Sequence, residues 1–596
     1  MTASTRRSAL LLALIVAAGG AVRFYNLGWG APYFHFHIDE HFVFVGAVQL
    51  RTNFLEAAGS PKFFIYSPLP MYLTIGVTEL YETIAGALDI SSKEGGIRFM
   101  VLGRAISAAF GTATIPLVYA IARQAGCPAA GLIAALFMAV GVLHIRESHF
   151  LSVDVTLTFF SILAWFCMMR IVRDGRLRDY VTAGVAIGLA VLCKYSAAFL
   201  IPLVGVAHLL APGRPARGAS ARPWIRWLAR ATLPGFVAVA TFLVLDPLVL
   251  LEFDKFQSDV RAYITDPMSG STTHIWAAQF TDIQPRLYWF TNLLWWGLGP
   301  AFEIWALGGI GWLLWRRDRL SLMAAAFPIL YFVIAGRTVT PFARYAVPLV
   351  PALAVAAGIL SADVIRAGRQ RGATARRLAA AAVSVVVGTT LLYAAAYMNV
   401  FIAPDARLTA SQFLLRRVPE GSRILVEPSH NIPPTGSYLT APNFYHDYVL
   451  WGRNTERHDF YHLYALDTYR YLYDGRPSPE EKRRYIEERL VLVDYIVMDD
   501  TFLQFYEHLP ASEHGVVKQY YEDLFAGRLG FELMRSFKVY PALGRLAIND
   551  DAAELSFRLF DHPRVFVFRR TLPGASSGSP PASGPHATGG RPGSGR

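Results

Sequence analysis

Two adjacent carboxylates, Asp39 and Glu40, stand between His37 and His41 in the stretch APYFHFHIDEH, just beyond the first apolar run of the chain. Carboxylates beside a membrane are costly to place and are seldom idle. Further on, Arg146, Glu147, His149 and Asp154 crowd into HIRESHFLSVD. Lys194 occupies the turn CKYS, and Arg337 and Arg344 flank AGRTVTPFAR. These residue types suit one chemistry: a carboxylate takes a proton from an acceptor hydroxyl, while cations hold a phosphate that grows more negative as it leaves. A group already linked through phosphate needs no acid to protonate it. One carboxylate opposite one cationic clamp then suffices for inversion at an anomeric carbon, whereas hydrolases of unactivated glycosides need two carboxylates. Asp39 is the expected base, with Lys194 and Arg344 as the clamp and Asp154, Glu147 and His149 shaping the site.

Each residue also has a plainer reading. Glu40 is expected to support Asp39, or to be a hydrogen-bonded neighbour, since adjacent helical residues do not share a face. His37 and His41 are four apart and would share one, so with Asp39 they are candidate metal ligands, although no third fixed ligand shows in the spacing. Lys194 could snorkel to the membrane interface. As the one lysine between residues 94 and 254, it reads better as a phosphate ligand. Arg344 opens RYAVPLVPALA and is expected to turn toward the bundle interior or the headgroups. Lys62 and Arg337 are further candidates for substrate binding. Arg104, inside a span, is expected to pair with a buried carboxylate.

These residues must be positioned by a membrane domain. Of 596 residues, 54% are hydrophobic and only 17% charged, with mean hydropathy +0.34, values of a membrane protein rather than a soluble globule. Apolar runs fall near 8–24, 98–122, 127–143, 150–171, 179–193, 195–211, 231–251, 290–315, 320–336, 342–364 and 378–399, about eleven spans against the roughly 20 residues a bilayer needs. The first is expected to be a retained span rather than a cleaved signal. A net charge of +12 does not imply nucleic acid here. The basic residues lie in short alternate loops, such as Arg170 to Arg178 and Arg316 to Arg319, as cytoplasmic loops do. The opposite loops hold Asp39, Glu40, Glu147, Asp254 and Asp282, which places the Asp39 loop and the chain beyond Met398 on the outer side. Cys127, Cys167 and Cys193 show no metal spacing.

Three regions are expected: a transmembrane domain over 1–400 with a long first outer loop over 26–97, a mixed α/β domain over 401–571, and a disordered tail over 572–596 rich in Gly, Ser and Pro. The second contains the strand-like runs SRILVEP, DYIVMDD, FELMRSFKV and RVFVFRR. Its His446 and Asp447 read as structural. No internal repeat of the transporter kind is visible.

Four ordered stretches, RFYNLGWGAPYFHFHIDEHF, RESHFLSVDVTLTFF, GLAVLCKYSAAFLIP and RYAVPLVPALAVAAG, resemble the GT-C superfamily of polyprenyl-phosphate-sugar-dependent glycosyltransferases. They are most similar to the family 39 type of protein O-mannosyltransferases and lipid A aminoarabinose transferases. The resemblance implies a mainly α, polytopic membrane fold in a bacterial inner membrane, with an appended extracytoplasmic domain. It implies a polyprenyl-phosphate-linked sugar donor and a lipid, protein or glycan acceptor. Asp39 would activate that acceptor, Lys194 would contact the lipid phosphate with help from Arg344, and Asp154 would lie near the same cavity. HFHIDEH holds more histidine than the usual short acidic motif, which leaves metal dependence open. The rivals are a metal-dependent oligosaccharyltransferase-like enzyme, a lipid-linked sugar transporter and a non-enzymatic scaffold.

Overall fold

The computed structural model describes residues 3–31, 37–57, 63–90, 92–216, 220–265, 275–281, 283–427 and 461–571. Lys62, His446, Asp447 and the tail 572–596 lie outside the described residues. Six helices among the described residues are long and apolar enough to cross a membrane. They coincide with the runs that begin near 8, 98, 150, 231, 342 and 378. The other five runs form the shorter helices Pro128–Ala139, Leu177–Val191, Leu200–Leu210, Pro300–Arg316 and Arg319–Ala335.

Local chemistry sets several of these boundaries. Ser92 accepts the Gly95 N–H at 3.0 Å and starts helix Lys93–Ala125, and Asp318 does the same for Arg319–Ala335 through Ser321. Such caps satisfy amides that have no partner inside the helix. At the other polarity, Pro128–Ala139 leaves its last carbonyls unpaired. The buried Arg23 guanidinium, at the end of the first helix, donates to Met138 O and Ala139 O at 3.0 Å each. One cation therefore ties the first helix to the third span.

Close packing needs small residues where apolar tails give no driving force between helices. Gly184 and Gly188, one turn apart, let Leu177–Val191 lie against Ala221–Leu245. A Cβ at either would come within 2.8 Å of a backbone oxygen, Pro234 O or Ala238 O. The long outer loop folds as helices Ile38–Thr52 and Leu69–Ala85 over a small apolar cluster of Val43, Phe44, Phe99, Leu151 and Leu248. That cluster seats the helix bearing Asp39.

The four strand-like runs are strands β1 (Arg423–Val426), β3 (Tyr495–Asp499), β4 (Phe531–Phe537) and β7 (Val565–Arg570). With β2 (His462–Ala465) they form a mixed sheet of order β2-β1-β3-β7-β4, while β5 (Ala542–Leu543) and β6 (Leu546–Ala547) make a separate hairpin. β1 runs parallel to β2 and β3, and β7 antiparallel to β3 and β4. The main apolar core runs without a break from Ala134 and Val355 through Tyr397 and Phe401 to Leu425 and Phe568. Helices and sheet region are thus packed together rather than joined by a bare tether.

Candidate active site

Helix Ile38–Thr52 begins at His37, whose Nδ1 accepts the Asp39 N–H at 3.2 Å. Asp39 and Glu40 follow in its first turn, where negative charge is favoured by the helix dipole. Being adjacent, they face different neighbours. Asp39 is buried, and its Oδ1 accepts the Tyr66 hydroxyl at 2.5 Å while Oδ2 lies 3.2 Å from Arg344 Nη1. Glu40 turns the other way. Its carboxylate takes Arg104 Nε at 2.7 Å, Arg104 Nη2 at 3.0 Å and the Leu151 N–H at 2.9 Å. Glu40, expected to support Asp39, forms with Arg104 a fully buried ion pair that joins the outer-loop helix to Lys93–Ala125.

A second pair sits beside the first. Lys194 Nζ donates to Asp154 Oδ1 at 3.0 Å and lies 4.8 Å from the Tyr345 ring. Arg344 is the chain neighbour of Tyr345 and holds its guanidinium 5.7 Å from the same ring. Each cation also feels the other pair's carboxylate. Burial works most strongly against the charge on Lys194, yet Asp154, Tyr345 and Asp39 together hold its pKa above the ordinary value. Arg344 is likewise raised, against burial, by Asp39 and Tyr345. Both stay cationic, as a phosphate clamp must. Tyr345 is itself anchored: its carbonyl accepts the Tyr331 hydroxyl at 2.5 Å.

Glu147 pairs with Arg146 through one oxygen. Burial pushes its carboxyl up to about 7, partly offset by Arg146, and Asp154 and Asp39 act on it as well. Glu147 Oε2, Asp154 Oδ2, Asp39 Oδ2 and Arg344 Nε are buried and lack a hydrogen bond among the described residues. Buried polar atoms are normally satisfied, so each of these four is open to a further partner.

Three expected site residues are elsewhere or differently engaged. His149 is stacked on Phe401 at 3.8 Å, and its two ring nitrogens lie 2.9 and 3.1 Å from Ile145 O and Tyr25 O. These contacts hold the end of the first helix in place. Arg337 is exposed and has no ion pair among the described residues. His37 is committed to the helix cap, and burial, followed by Arg344 and Arg146, keeps its pKa well below the ordinary value.

The metal candidates fail a simple fit. Asp39 is bracketed by a phenol and a guanidinium, His37 Nδ1 already accepts an amide, and among the described residues no three of His, Cys, Asp and Glu converge on one point. This donor set does not suit a divalent ion.

Reading the sequence missed Tyr66, Tyr331, Tyr345 and, in the C-terminal region, Glu554, Ser556 and Asp561. Tyr345 was within reach, since it follows Arg344 directly. Tyr66 stands in FFIYSPLP with nothing local to tie it to Asp39. Glu554 and Ser556 lie more than 200 positions from Ala343, and Asp561 more than 400 from Arg146.

Long apolar helices carrying buried acid–base pairs, beside a packed outer-loop helix, define a polytopic membrane protein. Residues 86–248 match the family model described as dolichyl-phosphate-mannose-protein mannosyltransferase. No curated protein matches the chain. Among solved structures, the apo oligosaccharyltransferase of Archaeoglobus fulgidus is similar at 13% identity and a TM-score of 0.49, covering 91% of this chain and 75% of that one. ArnT of Cupriavidus metallidurans bound to undecaprenyl phosphate is similar at 16% identity and 0.43, covering 93% and 97%. The S. cerevisiae Pmt1-Pmt2 protein O-mannosyltransferase complex bound to the sugar donor is similar at 21% and 0.34, covering 42% and 34%. Likenesses of this size carry no residue roles, which rest on the geometry above.

Proposed function

We propose that the protein transfers a sugar from a polyprenyl-monophosphate donor to a hydroxyl on a lipid, protein or glycan acceptor at the outer face of the membrane, with inversion. The observation that carries this reading is the pair of acid–base contacts meeting at Tyr345, Asp39 with Arg344 and Asp154 with Lys194. In the reaction the acceptor oxygen bonds to the anomeric carbon as its proton passes to Asp39. The bond from that carbon to the phosphate oxygen breaks with its electron pair on the phosphate, where Lys194 and Arg344 stabilise the added charge. Tyr66, whose pKa burial and then Asp39 drive well above the ordinary value, stays a neutral hydroxyl donor that orients the base. Asp154 orients Lys194. The test is turnover in reconstituted vesicles with polyprenyl-phosphate sugars, comparing wild type with Asp39→Asn and Lys194→Ala. Wild-type rates from both variants would remove these residues from the mechanism.

A further inference from the structure

Three parts of the proposed site, Arg344, Glu147 and the helix bearing Asp39, are approached from one distant turn. Glu554 Oε2 accepts the Ala343 N–H at 3.1 Å, with Ser556 Oγ 3.3 Å from the same nitrogen. Ala343 immediately precedes Arg344, in a four-residue 3-10 turn too short to hold its own shape. Arg146 Nη2 donates to Ser556 O at 2.6 Å and to Asp561 Oδ1 at 3.2 Å, while its Nη1 holds Glu147. Asp561 Oδ2 accepts the Tyr397 hydroxyl at 2.5 Å. The Phe560 ring lies 4.2 Å from His37, which caps the helix carrying Asp39. The turn is itself fastened from outside: Glu554 N–H donates to Asn292 at 2.7 Å, and Phe560 O accepts from Arg407 at 3.1 Å.

We infer that the turn Asp550–His562 is part of the proposed site, and that Glu554 and Asp561 are its positioning residues. Glu554 fixes the approach of Arg344 to the donor phosphate. Asp561 fixes Arg146, and through it the free oxygen of Glu147. The physical ground is that both carboxylates are buried, Glu554 and Asp561 at 2% exposure each. A buried charge is tolerated only with good partners, and the partners here are the backbone and side chains that present the clamp. Loss of either carboxylate leaves its donors unmatched and lets the loop or Arg146 re-aim, whereas an ordinary core contact would only lower stability. The C-terminal region is thus coupled to the donor clamp and does more than stand beside it. This inference rests on the function proposed above.

The test uses the full-length protein in liposomes, with unglycosylated undecaprenyl phosphate as the binding probe and undecaprenyl-phosphate mannose, glucose and 4-amino-arabinose as turnover probes. Glu554→Gln puts an amide group where only acceptors fit, because both carboxylate oxygens receive donors. It is expected to weaken undecaprenyl phosphate binding about tenfold, as is Arg344→Ala. The double variant is expected to bind no more weakly than Arg344→Ala alone, because both act on one contact. Asp561→Asn is expected to lower kcat with little change in donor KM, and Asp561→Glu to restore part of it. Should Glu554→Gln fold poorly by its unfolding midpoint, Ser556→Ala, which removes the second acceptor at Ala343 and the hydroxyl that donates to Glu554 Oε2, takes its place in the same cycle. Additive losses, or variants that bind and turn over like wild type per folded molecule, overturn the positioning role alone. Wild-type protein that binds no undecaprenyl phosphate, with Arg344→Ala unchanged from it, overturns the proposed function and this inference together.

Discussion

Arg344 Nη1 lies 3.2 Å from Asp39 Oδ2, so the expected base and half of the expected phosphate clamp are in direct contact across 305 positions of the chain. Arg344 therefore has two partners to serve. Under the proposed function, a donor phosphate arriving between it and Lys194 would compete with Asp39 for the guanidinium and release Asp39 toward an acceptor hydroxyl, with Tyr66 bonded to its other oxygen.

Removing the base and removing the clamp should separate in kinetics. Asp39→Asn is expected to cut kcat by about 10²–10⁴-fold, the usual reach of general base catalysis, while donor binding persists. Lys194→Ala is expected to raise the donor KM by about 10–100-fold, since hydrogen bonds to charged groups contribute about 1.5–3 kcal/mol. Steady-state kinetics at saturating acceptor checks both.

Glu40 and Arg104 should behave as structure. Both are fully buried, and breaking a buried pair from one side costs about 3–5 kcal/mol by leaving an uncompensated charge. Glu40→Ala and Arg104→Ala are expected to lower the unfolding midpoint in detergent far more than Asp39→Asn does. The double replacement is expected to be less harmful than the two single losses added together.

The C-terminal turn should show opposite responses to acid and base. Burial opposes the charge on Asp561, but Arg146, His562 and Tyr397 outweigh it and hold its carboxyl below the ordinary range. That contribution is present above the unfolded value of about 3.9 and is lost as pH falls through the folded one. His562 is raised, against burial, by Asp550 at 2.6 Å and by Asp561. Its contribution is complete below about 6.5 and is lost as pH rises through the folded value. The unfolding midpoint is therefore expected to fall as pH rises above about 6.5, and His562→Gln to flatten that slope. Thermal melts across the range decide it.

Chelation offers a direct comparison with the metal-dependent rival. With His37 used as a cap and Asp39 held by Tyr66 and Arg344, turnover is expected to survive exhaustive chelator treatment. Activity lost to chelator and restored by a divalent cation would favour the oligosaccharyltransferase-like reading instead.

Much of this protein was legible from its residues alone, and for definite reasons. Apolar runs are readable because a helix in lipid must satisfy its own backbone and shed polar side chains. The strands β1, β3, β4 and β7 were readable because half-buried sheets favour short runs of branched and aromatic residues. Asp39, Asp154, Lys194 and Arg344 drew attention because a charge at a span edge is expensive and so is rarely accidental. What sequence could not say is which charge meets which. Asp39 and Glu40 are chemically near-equivalent neighbours, and only the fold sends one to Tyr66 and Arg344 and the other to Arg104. His149 and Glu147 share one short segment, yet one props Phe401 and the other faces the site. Likewise, nothing local marks Glu554 or Asp561, because their meaning lies in Ala343 and Arg146, 211 and 415 positions away. Periodicity and hydropathy act over a few turns of chain, so they determine elements; electrostatic partnership acts across space, so tertiary structure alone decides it.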